Sequence, residues 1–337
     1  MNSRVFPPLC ITFTRVLTAS LLAAALHSAH AQSGKWKPEK SVELVAPSGV
    51  GGGLDLTART MQRIIQERKL VEVPVTVVNK AGAGNAIGYA YVNQQQGDGH
   101  YILVTAPNII TNRITGVNPI DYTDMTPIAM LFSEFVAFTV KGDSTIKDGK
   151  DLLDRLKKDP ASVSFGVAPS LGGSNHLAPA MVLKAAGVDV KKVKFVVFPG
   201  SGDSAVAAMG GHVDVNASSS ALVISPVTAG RMKIVGVTAP ARMAGVFTTA
   251  ATWKEQGIDV VWGTWRVVLG PRGMSAAQIE YWEHVIARLV KTDEWKCDLD
   301  KNLWADIYMN SKDTKAFLDA QRTELRALLA DLGLAKQ

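Results

Sequence analysis

Apolar and polar positions alternate in short blocks from residue 42 onward. Residues 42–46 (VELVA) form a Val-rich run of strand length, broken by Pro47-Ser48-Gly49 and the three consecutive glycines Gly51 to Gly53. After Asp55, Leu56, Met61, Ile64 and Ile65 recur near helical spacing and predict a helix to about residue 69. Strands follow at 73–78 (VPVTVV) and 101–105 (YILVT), separated by a helix at 86–95 and a turn at 96–99. Strand and helix thus alternate through the first hundred residues of this region, which argues for a parallel sheet covered by helices. Residues 126–140 (TPIAMLFSEFVAFTV) are longer and nearly all apolar, and read as a strand leaving a first lobe and entering a second. Beyond them the pattern predicts helices at 147–158, 177–186, 204–209 and 221–230 and strands at 163–167, 193–198 and 234–238. A further apolar stretch spans 260–269, and helices are predicted at 275–289 and 314–332.

Several of these strands end in small or polar loops, and open parallel sheets bind ligands outside those carboxyl ends. The corner Val50, Gly51, Gly52, Gly53 and Asp55 is the sharpest case. It collects unpaired backbone N–H groups at the positive end of a helix dipole, and glycine lets an anion approach the backbone closely. The expectation is a carboxylate grip; the alternative is an ordinary strand-to-helix turn. Residues 193–208 (VKFVVFPGSGDSAVAA) repeat the same grammar of strand, Pro, Gly-rich loop, Asp and helix, with Gly200, Ser201 and Asp203 in the corner. Two such corners facing each other would make a cleft, a preferred place for small ligands. Asn79, Asn85, Asn108, Ser170, Ser174 and Ser201 add neutral hydrogen-bonding groups on successive loops. Such groups hold an anion without burying an unpaired cation, although each alone also suits a turn.

The first 31 residues change the picture. Arg4 and Arg15 precede an apolar stretch at 16–26, and Ala29-His30-Ala31 fits a small-x-small cleavage site, so the leader is a secretory signal cut after Ala31. Of 337 residues, 306 then remain, enough for two domains. Cys10 leaves with the leader, and Cys297 alone cannot form an internal disulfide. The leader's two Arg take the formal charge from +6 to +4, with Lys and Arg scattered, which does not indicate nucleic acid.

Catalytic patterns are absent: there is no G-x-S-x-G, H-E-x-x-H or Walker loop, and His100, His176, His212 and His284 lack metal-ligand spacing. His176 either hydrogen-bonds a carboxylate or caps the following helix. Asp55 and Asp203 read as helix-capping, first-turn charges rather than an acid–base pair. Residues 82–88 (GAGNAIG), with Gly84 and Asn85, resemble a dinucleotide loop, but the next strand ends in Ala106-Pro107-Asn108 without the acid that a ribose needs. Arg266, beside Trp265 in an apolar strand, makes either a bidentate contact with a distal carboxylate or a structural ion pair; Trp253 reads as core.

The ordered set VAPSGVGGGLDLTAR, VVNKAGAGNAIGYAYV, FGVAPSLGGSNHLA, FPGSGDSAVAAMGGHVD and PVTAGRMKIVGVTAPAR resembles the Bug (Bordetella uptake gene) family, the TctC-like solute receptors of tripartite tricarboxylate transporters. The resemblance implies an α/β, two-lobed periplasmic-binding-protein-like fold of type II. Each lobe would be a mainly parallel sheet flanked by helices, with the ligand cleft between lobes. We assign residues 32–138 with 240–337 to lobe 1 and 139–239 to lobe 2. The resemblance further implies a periplasmic receptor that closes on a small organic acid without chemistry, and a membrane permease as partner. No cofactor or metal is expected, and the receptor is expected to be a monomer. Within these motifs the corner from Val50 to Asp55 is expected to cradle the acid, partly through water, helped by the loop that holds Ser170, Gly173, Ser174 and His176. Ala168 and Asp214 belong to the same motifs. Leu54 replaces a polar residue usual in the family, and Lys80-Ala81-Gly82 lacks the family's common Pro. The alternative functions are an exported hydrolase or transferase using Asp55, Asp203 and His176, and a receptor that presents its ligand to a sensor.

Overall fold

A single strand, β4 (Met125–Lys141), runs through the middle of the molecule and takes part in both halves of its sheet. The structure, a computed structural model, describes residues 36–336, so the leader and its cleavage site lie outside the described residues. Of these, residues 37–336 form one compact unit.

The first half of the sheet has the order β2-β1-β3-β9-β4, with β10 also on β4. Here β1 (Val42–Ala46) lies parallel to β2 (Val75–Asn79) and β3 (Tyr101–Thr105). β9 (Gly263–Pro271) and β10 (Ala305–Met309) run antiparallel to their neighbours. The second half places β7 (Val215–Ser219) and β8 (Met232–Val237) antiparallel on β4. β5 (Ser164–Val167) and β6 (Lys194–Val197) then follow in parallel. The sheet is therefore mixed: parallel strands joined by helical crossovers, stitched to antiparallel strands that return through the middle. β4 pairs β9 through residues 125–135 and β7 through residues 136–140, so its hand-over between the halves falls at Glu134–Val136.

The helices are α1 (Gly53–Glu67), α2 (Ala86–Asn93), α3 (Asn108–Ile114), α4 (Gly149–Lys158), α5 (Ser174–Ala185), α6 (Ser201–Met209), α7 (Ser220–Thr228), α8 (Ala276–Leu289), α9 (Asp293–Asn302) and α10 (Ser311–Asp331). Two large apolar clusters hold them to the sheet. One packs Val45, Leu103, Tyr89 and Trp265 under α10. The other packs Phe138, Phe165, Leu152 and Trp253 under α4, with the Trp253 ring 4.9 Å from that of Phe138. Trp253 is core, as its sequence context suggested.

α3, α9, β7 and β10 were not anticipated. β7 is the instructive case, because VNASS reads as a loop. Its Asn216 donates to Thr139 Oγ1 (3.1 Å) and Ser218 Oγ (2.9 Å) and accepts from Ser204 Oγ (2.8 Å). A buried polar layer that satisfies itself has no hydrophobic signature. α5 and α6 begin three residues earlier than expected, at Ser174 and Ser201, because glycines serve as their N-caps.

Candidate functional site

The carboxyl ends of β1, β3, β5, β6 and β7 open into one cleft of about 460 Å3, part of it open to solvent. Ser48, Gly52, Gly53 and Leu54 contribute one wall, and Ala168, Pro169, Ser174, Asn175, Pro199, Gly200 and Ser201 the other. Asn85, Ala106 and Asn108 close one side, and Ser219, Thr264 and Arg266 form the remainder.

Three helices present their N-termini to this space. Gly52, Gly173 and Gly200 are the N-caps of α1, α5 and α6, all with extended backbone and none with a side chain to cap the first turn. A Ser or Asp at an N-cap normally takes the N–H of the second or third helical residue. In α1 and α6 glycine leaves those donors to water or to a ligand, with the helix dipole behind them. In α5 Ser174 N reaches Asn108 Oδ1 (3.5 Å) and His176 N bonds Gly173 O (2.9 Å), so Asn175 N is the donor left.

The first corner is shaped from behind. Asp55 is 2% exposed, and its Oδ2 accepts from Gly51 N (2.9 Å) and Arg59 Nε (3.0 Å) while Oδ1 accepts from Asn79 Nδ2 (2.8 Å). The same Asn79 amide also donates to Ser48 O (3.1 Å). Burial alone would raise the Asp55 carboxyl, but the bonds from Arg59, Gly51 and Asn79 outweigh it and hold the group below its ordinary value. Gly51 turns the loop with φ +78°. Asp55 and Asn79 thus fix the corner, and neither lines the cleft. Val50, at the tip, is 74% exposed.

The two similar corners do lie against each other. A Cβ at Gly202 would stand 3.1 Å from Gly51 O, and one at Gly200 would stand 3.9 Å from Gly49 N. Asp203 is exposed in the first turn of α6, with its Oδ2 3.2 Å from where a Gly200 Cβ would be, so it sits beside this contact.

Other expected residues divide in the same way. Asn85, Asn108, Ala168, Ser174, Gly200, Ser201 and Arg266 line the cleft with Gly52 and Gly53. Ser201 accepts from Asn175 Nδ2 (2.9 Å), and Asn108 Oδ1 accepts from Ser174 Oγ (3.1 Å). Gly84, Ser170, Gly173 and His176 stand in the layer behind. Ser170 donates to Asn112 Oδ1 (3.3 Å), and Asn112 donates to Gly84 O (2.5 Å). His176 Nδ1 accepts from Gly172 N (3.0 Å), and its ring meets Phe195 edge-on at 4.4 Å. It caps no N–H of α5; its bond from Gly172 N braces the loop before that helix. Asp214 is exposed and holds Ser164 through its N (2.8 Å) and Oγ (2.6 Å), away from the residues that line the cleft.

Burial pushes His176 down to about 4. The unfolded chain, with an ordinary His near 6.5, therefore binds the proton first. The stabilisation is complete above about pH 6.5 and is lost as pH falls toward 4, a change on the order of 3 kcal/mol. Denaturant titrations across this window are expected to show that slope, and His176→Gln is expected to flatten it. An equal slope in both proteins would remove His176 as its source.

Glu134 was missed. It is 1% exposed and takes bonds from Arg266 Nη2, Ser219 Oγ and Trp304 Nε1 (the last 3.1 Å). Arg266 therefore makes an ion pair within the chain. The signal was available: Glu134 is the one charge in the apolar stretch 126–140 and Arg266 the one charge in β9, and a buried charge needs a partner. Among the described residues no group of acidic, His or Cys side chains is arranged to hold a metal, and no helix is long and apolar enough to cross a membrane.

The fold and this cleft suit a receptor that holds a small ligand. The chain belongs to the tripartite tricarboxylate transporter receptor family, TctC, whose model matches residues 58–334. It is thus a member of a receptor family rather than an enzyme family. It is 29% identical over 286 residues to a protein of the tcbD–tcbE intergenic region of Pseudomonas sp. (strain P51), covering 83% of each chain. The periplasmic binding protein BugD has the same fold, with a TM-score of 0.82 at 23% identity over 89% of this chain and 100% of its own. MatC from Rhodopseudomonas palustris with bound malate does too, with a TM-score of 0.78 at 19% identity over 87% of this chain and 99% of its own.

Proposed function

We propose that this receptor captures a small organic acid in the cleft, holding its carboxylate on backbone N–H groups, and delivers it to the permease subunits of a tripartite transporter. The observation that carries the reading is the convergence of three helix N-termini, capped by Gly52, Gly173 and Gly200, on one cleft. Each carries partial positive charge, α1 and α6 with open first-turn donors and α5 with Asn175 N, and together they suit an anion with no cation of the protein left unpaired. The malate in MatC supports the same ligand class.

Residues 32–138 with 240–337 and residues 139–239 act in this reading as two lobes hinged near 136–141 and 235–239. The hand-over of β4 between the sheet halves at Glu134–Val136 supports that boundary. The leader would be removed after Ala31, so N-terminal sequencing of the exported protein should begin at Gln32. The receptor would work as a monomer, and capture of permease subunits rather than of a sensor by the tagged protein would separate transport from signalling.

Calorimetry across a panel of carboxylates tests the central claim. Stoichiometric binding with the ligand recovered unchanged is expected, and a raised melting temperature should accompany it because the ligand binds the folded state. Turnover of the ligand, or no binding of any acid, would overturn it.

A further inference from the structure

The cleft has a single charged lining residue, Arg266, and that charge is already met within the protein. Arg266 is 4% exposed. Its Nη2 donates to Glu134, and its Nη1 makes long contacts of 3.3 Å with Thr264 Oγ1 and Trp265 O. Its Nε is buried and has no partner. The guanidinium is therefore held by Glu134 through Nη2, while its Nε has no acceptor within the protein. Gly53 makes room for it against the start of α1, since a Cβ there would stand 2.9 Å from Nη2.

Asn108 offers a second unmet donor on the same cleft. Its Oδ1 is taken by Ser174, whereas its Nδ2 is buried without a partner. Buried donors are rarely left unpaired, and two of them on one cleft indicate an acceptor that arrives with the ligand.

The charge balance then limits what that ligand is. Arg266 and Glu134 cancel, and no Lys, His, Asp or Glu lines the cleft. The three helix N-termini contribute at most roughly +0.5 each, offset in part by Asp203 in the first turn of α6, whereas Asp55 in that of α1 is paired with Arg59. The site therefore compensates between one and two negative charges. A third carboxylate would enter it with no counter-charge, which burial makes unfavourable.

We propose that Arg266 sets the specificity of this receptor: its Nε, with Asn108 Nδ2, takes a carboxylate oxygen of a mono- or dicarboxylate, while Glu134 positions the guanidinium and keeps the cleft's charge too low for a tricarboxylate. This rests on the carboxylate reading above.

The test is calorimetry at neutral pH with benzoate, succinate, adipate and citrate. At least one of the first three binds the wild type, and citrate binds it at least about 100-fold more weakly. The double variant Arg266→Gln/Glu134→Gln keeps a neutral hydrogen-bonding pair in place of the ions, so it retains its fold, checked by its unfolding midpoint. It should lose about 100-fold in affinity for the preferred acid. Glu134→Gln alone leaves Arg266 uncompensated, and the gap between citrate and the preferred acid should narrow by about tenfold. A residue that only held the structure together would not move that ratio. Citrate binding the wild type as well as the best of the other three overturns the proposal, as does unchanged affinity in the folded double variant. An unmoved ratio in Glu134→Gln overturns the role given to Glu134. If the wild type binds none of these acids and no other carboxylate, the carboxylate reading itself falls.

Discussion

Replacing Gly52 with Asp is expected to abolish ligand binding while leaving the fold intact. Gly52 has φ −82° and ψ 167°, extended backbone that Asp adopts without strain. A Cβ there would stand 3.2 Å from Gly49 O, which requires the loop to give by a few tenths of an ångström. Asp is also a favoured N-cap, and its carboxylate would take the N–H of Leu54 or Asp55 that glycine leaves free. The helix is thus no worse capped, but the donors are spent and a fixed negative charge stands in the cleft. A loss of at least about 100-fold in affinity, near 3 kcal/mol, should follow. Calorimetry on protein with an unchanged circular dichroism spectrum measures it. Ordinary affinity in that variant would show that the corner does not hold the anion.

The second large effect is on stability. Glu134→Leu is expected to cost about 3–5 kcal/mol, because it strands a buried guanidinium. It also removes the acceptor for Ser219 Oγ and Trp304 Nε1. The double variant Glu134→Leu/Arg266→Met should recover most of that loss, since apolar replacement of a whole buried pair is often close to neutral. Urea unfolding of the wild type, both single variants and the double gives the coupling directly. Additive losses would mean that the two charges do not depend on each other.

What the sequence revealed and what it hid follow from the range of each interaction. β3 spans residues 101–105 as expected, because YILVT is a continuous apolar run between a Gly-Asp-Gly turn and Ala-Pro-Asn. The helix at Gly149–Lys158 was legible from its amphipathic spacing. The glycine loops around Gly52, Gly173 and Gly200 were legible because the local chain dictates them, but the starts of α5 and α6 lay three residues before the first apolar position that spacing revealed. The partner of Arg266 was not, since Glu134 lies 132 residues away and only the β4–β9 register brings them together. Local chemistry also misassigned depth. Asp55 and Asn79 belong to the right corner, yet the loop's own hydrogen bonds turn both behind it, a matter of side-chain direction that spacing does not encode.

The central position of β4 reaches back to the time before the chain is folded. Its neighbours β9 and β10 lie at Gly263–Pro271 and Ala305–Met309, near the far end of the polypeptide. Pairings so distant in sequence form late, because the intervening loop must first be closed at an entropic cost. While the chain is being synthesised, the first half can assemble β1, β2 and β3 but leaves the edges of β3 and β4 unpaired until the last quarter of the sequence emerges. This strand order delays completion of the sheet for nearly the whole of synthesis. The same strand that unites the finished receptor thereby keeps the nascent one incompletely folded until its last quarter emerges.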